Sequence, residues 1–311
     1  TLVSSSAASD VYKRQSGPNA VNEKVSFLET HTQGFKIKNT MDIGDTVELS
    51  YGFDTSVRNW DGEYQGIGTQ APIEGFTNID DVDTENRALF VEVVKDYARV
   101  ELKAGARYDD TTIEPGDSSS NQPDNDYNAF SGFVFATYQL NDDTKLFGGV
   151  GRSHRVPDAR ELYFRGAMVM MGVGQSPQLG TPDLDQTSNT GIDFGVENNL
   201  GNLMLKTKLF YSSLGDYIYY NASKMQNRFE NVDATIYGLD VSGSYLFTDE
   251  LYLDFGVAMQ RGKKDEALEG QTDRDLAEIP PLKANLALNY DYGQKNSARL
   301  EVVAADRWDT F

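Results

Sequence analysis

The connections along this chain alternate in length, short then long, and few folds demand that. The short ones are "MDIGD" at 41–45, "KD" near 95, "NDD" at 141–143, "GN" at 201, "TDE" at 248–250 and "YGQKN" at 292–296. The long ones occupy 58–85, 109–126, 154–187, 218–232 and 262–280. In an antiparallel meander every second connection lies at the same end of the sheet. One end is therefore trimmed and the other elaborate. A membrane-spanning β-barrel has this asymmetry, whereas a β-sandwich gives no reason for it.

The segments between the connections have a period of two. In "VELKAGARY", Val100, Leu102, Ala104, Ala106 and Tyr108 share one face, and Glu101, Lys103, Gly105 and Arg107 share the other. "LKANLALNY" sets Leu282, Ala284, Leu286, Leu288 and Tyr290 against Lys283, Asn285, Ala287 and Asn289. A pleated strand with one wet face requires this pattern. It predicts about twelve strands, near 33–40, 46–57, 86–94, 98–108, 127–140, 144–153, 188–199, 202–217, 233–246, 250–261, 281–291 and 297–306. Many reach about ten residues, against about five or six in soluble sheets and about 9–11 for a tilted membrane strand.

No apolar run approaches the ~18 residues of a membrane helix. The mean hydropathy of −0.51 suits a barrel, because alternate residues facing a polar lumen dilute the lipid-facing signal. Tyr108, Tyr127, Tyr138, Tyr217, Tyr219, Tyr220, Tyr245, Phe247, Tyr252, Tyr290 and Tyr292 cluster near strand ends. With the loop pattern, an interfacial girdle is preferred over ordinary cross-strand pairing. The run "GVGRSHRVPDARELYF" at 149–164 then reads as a strand that leaves the hydrocarbon at Ser153, where Arg152, His154, Arg155 and Pro157 are tolerated. The fold class expected is all-β, a fragment of about 12 antiparallel strands from a large up-and-down transmembrane β-barrel.

Composition removes other classes. With 48 acidic and 28 basic residues the formal net charge is −20, so no basic face exists to neutralise nucleic-acid phosphates. The 17 Tyr and 16 Phe argue against disorder. The chain starts at Thr1 without Met and stops at "DRWDTF" as a strand is ending, so truncation at both ends is expected. "SSSAASDVYKRQ" at 4–15 fits nothing that follows and resembles the translated adapter sequence found at the edges of assembled environmental reads. Residues 1–20 are therefore set apart as a non-native or disordered leader, and 21–311 are read as the partial barrel.

Five runs resemble, in order, the barrel of TonB-dependent outer-membrane receptors. They are "GARYDD" at 105–110, "RSHRVPDARELYF" at 152–164, "GTPDLDQTSNTGIDFGVE" at 180–197, "NVDATIYGLDVSGSYLFTDEL" at 231–251 and "DLAEIPPLKANLALNY" at 275–290. The family's usual Asn-Pro-Asp-Leu-Lys-Pro-Glu is here Thr181-Pro182-Asp183-Leu184-Asp185-Gln186-Thr187, which leaves the subfamily open. The resemblance implies a barrel of about 22 strands plugged by an N-terminal domain. It also implies an outer-membrane monomer surrounded by lipid, energised by TonB–ExbB–ExbD through a plug that these residues lack, binding a metal chelate on its outer loops. No cofactor and no nucleic acid are expected.

Two candidate sites stand out, each with a plainer reading beside it. Met168, Met170 and Met171 lie in the longest loop and His154 at its start, a soft donor set that suits copper; a flexible apolar loop is the preferred reading. A run similar to "LAEIPPL" at 276–282 also occurs in copper-type receptors of the family. Asp80, Asp81, Asp83 and Glu85 offer hard oxygens for Ca²⁺. They lack the EF-hand glycine and distal Glu, so a solvated acidic loop is preferred, as it is for Asp124 and Asp126. Two His, no Cys and no nucleophile spacing leave catalysis without support. Glu101, Arg107, Lys206 and Lys208 are expected on the lumen face, bonded to a plug or to water. The leading function is uptake of a scarce nutrient, a metal chelate such as a ferric siderophore, with copper as a variant. The alternatives are a non-energised porin or adhesin, or a secreted all-β carbohydrate-active domain.

Overall fold

The structure, a computed structural model, describes residues 10–15, 21–67, 76–116, 122–166, 178–277, 279–293 and 295–307. They form one antiparallel sheet of 13 strands in which each strand pairs with its neighbours in sequence. The strands are β1 (Asp10–Gln15), β2 (Val21–Ile43), β3 (Val47–Ile67), β4 (Phe76–Asp96), β5 (Val100–Glu114), β6 (Asn125–Asn141), β7 (Thr144–Arg155), β8 (Thr187–Leu200), β9 (Leu203–Tyr220), β10 (Phe229–Leu246), β11 (Leu251–Lys264), β12 (Lys283–Tyr292) and β13 (Asn296–Ala305), with one short helix, α1 (Ala159–Tyr163), after β7. The sheet is not closed, and β1 and β13 are its edges.

Each of the twelve expected segments coincides with one of β2 to β13, six of them overhanging the strand by one or two residues at one end. The differences lie at the long-connection end, where β2 runs from 21 rather than 33, β3 to 67 rather than 57, and β4 from 76 rather than 86. The ladder continues there while the alternation that marks it fades: polar residues occupy both faces of β4 at Asp80, Asp81, Asp83 and Glu85, and the apolar Ile79 and Val82 are buried under a connection rather than turned to one face in a regular stripe. The acidic run at 78–86, expected in a loop, is therefore ladder within β4. The stretch set apart at the start contributes β1, which pairs with β2 from Asp10↔Ser26 to Gln15↔Val21.

Register fixes the two faces, since directly opposed residues in an antiparallel pair point the same way. One row runs Ile37, Phe53, Leu89, Tyr108, Phe130 across β2 to β6. A second runs Val134, Val150, Ile192, Tyr211, Tyr237 across β6 to β10. A third runs Phe255, Leu286, Val302. Most of these side chains are exposed, Leu89 by 62% and Phe130 by 66%. A continuous apolar band of this extent is stable only against an apolar medium.

The interleaved positions form the opposite face, and charges there neutralise one another. Arg107 takes both oxygens of Asp54 (2.7 and 2.8 Å) and binds Asp109 at 2.8 Å. Lys206 pairs with Glu197 at 2.7 Å, Lys208 with Asp193 at 2.8 Å, and Lys103 with Glu101 at 3.7 Å. Asn289 and Arg299 share Asp254. The four charged residues assigned to the lumen from sequence are on this face.

The short turns are closed by local chemistry. Gly44, Gly201 and Gly293 take φ of 65°, 65° and 66°, where a side chain would be strained. Asn141 Oδ1 accepts from the Asp143 amide at 3.0 Å, and Thr248 Oγ1 accepts from the Leu251 amide at 3.0 Å. The buried residues gather at the other end. One cluster joins Ile79, Val82, Ile113, Tyr127 and Ile218 to Ala159, Leu162, Tyr163 and Leu184 of the β7–β8 connection. A second joins Leu214, Tyr219, Val232 and Ala234 to Leu276 of the β11–β12 connection. Gly262 permits that approach, since a Cβ there would lie 2.8–2.9 Å from Ile279 and Leu276. The strands form one continuous wall, and the long connections supply a small core of their own at one end of it.

Candidate functional site

The helix α1 is one turn long and held by a capping box. Asp158 Oδ1 accepts from the Glu161 amide, and Glu161 Oε2 accepts from the Asp158 amide, both at 2.8 Å. The same Glu161 carboxylate receives a two-pronged bond from Arg155, at 2.8 and 3.0 Å. The last residue of β7 is thereby tied to the first turn of its connection. Leu162 and Tyr163 are buried beneath. Tyr163 donates to the Pro123 carbonyl at 2.8 Å and accepts from Asn125 Nδ2 at 2.7 Å. Its burial pushes the phenol up to about 12. Tyr127 donates to the Leu184 carbonyl at 2.8 Å, fastening the far side of the same connection.

Beside α1 a cleft of about 930 Å³ opens between the connections, lined by Arg155, Glu161, Tyr217, Tyr219, Tyr220, Phe229, Gln271 and Asp273 among others. Tyr220 and Phe229 pack with their rings tilted by 59° and centroids 5.1 Å apart, and Arg228 donates to the Tyr220 hydroxyl at 2.8 Å. Asn221, fully buried, bonds Glu230 at 2.8 Å and the Glu269 carbonyl at 3.1 Å. Lys264 is 2% exposed and bonds neutral oxygens, Gln271 Oε1 at 2.7 Å and the Asp275 carbonyl at 2.8 Å, with its ammonium 4.5 Å from the Tyr219 ring centroid. Two connections are therefore fixed to each other around an aromatic wall whose lining includes Arg155 and Arg160, a surface suited to a planar or polyoxygenated solute.

The residues singled out from sequence lie elsewhere. His154 is in β7, its ring 3.4 Å from Ser131 Oγ and 3.5 Å from the Arg152 guanidinium. Met168, Met170 and Met171 lie outside the described residues. Asp81 and Asp83 both accept from Asn59 Nδ2, at 2.7 and 2.9 Å, Glu85 pairs with Arg87, and the Asp80 carbonyl accepts from Gly116. Asp126 accepts from Thr112 at 2.9 Å. Among the described residues no cluster of three His, Cys, Asp or Glu could hold a metal ion. Sequence reading missed the clamp of Arg155 on Glu161 and the buried Lys264. The Asp-x-x-Glu spacing at 158–161 was a legible signal for the first; nothing in the sequence marks the second.

A single meander whose strands are apolar on one face and ion-paired on the other, with trimmed turns at one end and packed connections at the other, defines the wall of an up-and-down transmembrane β-barrel. The chain belongs to the family described as TonB dependent receptor-like, beta-barrel, whose profile matches residues 4–310. Among solved structures it is similar to the copper transporter OprC, at 24% identity and a TM-score of 0.69, covering 87% of this chain and 42% of that one. It is also similar to the ferric yersiniabactin uptake receptor FyuA from Yersinia pestis, at 13% and 0.66, covering 94% and 45%. The unliganded ferric citrate transporter FecA matches at 14% and 0.72, covering 94% and 43%. At these identities the likeness is one of fold. The chain spans less than half the length of each. No curated protein matches in sequence.

Proposed function

We propose that the chain forms part of the barrel of an outer-membrane receptor that takes up a scarce nutrient, a metal chelate of the ferric-siderophore kind, and that it catalyses no reaction. The observation that carries this reading is the pairing of a lipid-type face with an ion-paired polar face beneath an aromatic cleft built from the long connections. Such a wall encloses an aqueous path and offers a ligand surface at one mouth. Transport then draws on the inner-membrane TonB–ExbB–ExbD complex through a plug outside these residues, and the receptor works as a monomer. Two of the three neighbours named above are a ferric yersiniabactin uptake receptor and a ferric citrate transporter. One observation favours copper as a second reading: the copper transporter shares 24% identity, against 13% and 14% for those two.

The test is uptake by the full-length receptor in cells lacking their own receptors, supplied with labelled ferric chelates or labelled copper, with and without collapse of the proton-motive force. Energy-dependent entry of a ferric chelate is the expected result. Energy-dependent entry of copper alone selects the second reading. Entry that ignores the proton-motive force refutes the receptor and leaves a porin.

A further inference from the structure

The outer face carries cations as well as apolar side chains, and they are treated unequally. On β2, His31 Nε2 lies 2.8 Å from Glu29; on β4, Arg87 lies 2.6 Å from Glu85. Each is answered by a carboxylate two residues away on its own strand. On β11 the outward positions read, from the short turn toward the long connections, Leu253, Phe255, Val257, Met259, Arg261 and Lys263. Gly262 and Lys264, between and beyond the two cations, are buried, whereas Arg261 and Lys263 are exposed. Among the described residues neither forms an ion pair. Asp275 faces Lys263 across an isolated bridge without pairing to it. Strand β7 repeats the order, with outward Leu146 and Val150 followed by Arg152, whose one hydrogen bond among the described residues is to His154 at 3.5 Å.

In a chain of net charge −20, carboxylate partners are abundant, and the lumen-face cations named above have found them. Arg261 and Lys263 instead point away from the lumen at the border of the apolar band. Two residues along a strand is about 6.6 Å, so with a tilt near 45° they stand about 5 and 9 Å above Met259. That is headgroup depth. Tyr237, directly opposite Arg261 and exposed, adds a phenol at the same level. Arginine and lysine side by side answer a phosphate with charge-assisted bonds. We propose that Arg261 and Lys263, with Tyr237 beside them, hold the phosphate of a lipid headgroup in the leaflet nearest the long connections.

The test uses the full-length receptor, delipidated in neutral detergent and titrated with phosphatidic acid, with diacylglycerol as the phosphate-free counterpart and with inorganic phosphate, bound lipid being counted by native mass spectrometry. At about 1 kcal/mol per basic residue, Arg261→Gln/Lys263→Gln should weaken phosphatidic acid binding about thirtyfold. Arg261→Lys/Lys263→Arg should restore it, Arg87→Gln should leave it unchanged, and diacylglycerol should not bind. If the double variant fails to fold, the single glutamine variants decide, each expected to lose about fivefold. Undiminished binding in the glutamine variants, equal loss in Arg87→Gln, or equal binding of diacylglycerol would overturn the assignment. So would displacement by inorganic phosphate at the lipid's own concentration, which would indicate a site for the free anion.

Discussion

Replacing Leu286 by arginine separates a barrel in lipid from any sheet in water. Leu286 is 49% exposed and sits between Phe255 and Val302 on the outward face. Outward positions on its strand and just before it run from Leu282 to Tyr290. Leu286 is four residues from either end, about 13 Å along the strand and about 9 Å in depth at a tilt near 45°. That is close to the middle of an apolar band about 25 Å tall. Arginine near the midplane of such a barrel costs about 2–4 kcal/mol, and the cost falls toward 0–1 at the interfaces. On a water-exposed strand a half-exposed leucine accepts arginine within about 0.5 kcal/mol. Leu205→Arg, which lies nearer the short turns, should fall between these values. Lys206→Ala, the next residue, removes a half-exposed pair with Glu197 and should cost under about 1 kcal/mol. The assay is denaturant titration of the full-length protein refolded into lipid vesicles, followed by tryptophan fluorescence. Equal effects at 205, 206 and 286, or a silent Leu286→Arg, would refute the facing assignment.

The aqueous-side core gives further expectations. The Tyr163 phenol is pushed up to about 12, above the value of about 10 for a free tyrosine. The folded state therefore holds its proton where the unfolded state has lost it. Stability of the β7–β8 connection should fall as pH rises from about 10 toward 12, and Tyr163→Phe should remove that component, as read by limited proteolysis across the range. Lys264→Ala strands Gln271 and the Asp275 carbonyl, and should loosen the β11–β12 connection by about 2–4 kcal/mol, seen as faster amide exchange confined to 265–282. Asp158→Ala removes one half of the capping box and should cost about 1 kcal/mol, seen as exchange in 156–166 with the strands unaffected.

Much of the sheet was legible because lipid on one side and water on the other force a period of two; "LKANLALNY" and "VELKAGARY" map onto β12 and β5 with their faces as read. Beyond the apolar band, where polar residues take both faces and a connection packs on Ile79 and Val82, the pattern fades. The outer ends of β2, β3 and β4 were missed for that reason, and Asp81 and Asp83 were placed in a loop. β1 falls in the stretch that composition set apart. The candidate cleft was hidden for another cause. Arg155, Tyr219, Asn221 and Lys264 become neighbours through tertiary packing of three connections, and no spacing in one sequence encodes that. The aromatic residues near 217–220 were seen, and their use as an interfacial girdle was expected, yet Tyr219 is buried against Leu276 and Lys264.

The central claim is that the greasy side of the pleat meets acyl chains. These residues hold no cysteine, so once any cysteine elsewhere in the full-length receptor is replaced by serine, single cysteines carry a spin label without background. Placed one at a time at 286, 287, 288 and 289 of the full-length receptor in bilayers, labels at Leu286 and Leu288 should collide with oxygen dissolved in the hydrocarbon, and labels at Ala287 and Asn289 with a water-soluble nickel chelate. Accessibility that does not alternate, or alternates with the opposite phase, would contradict the account.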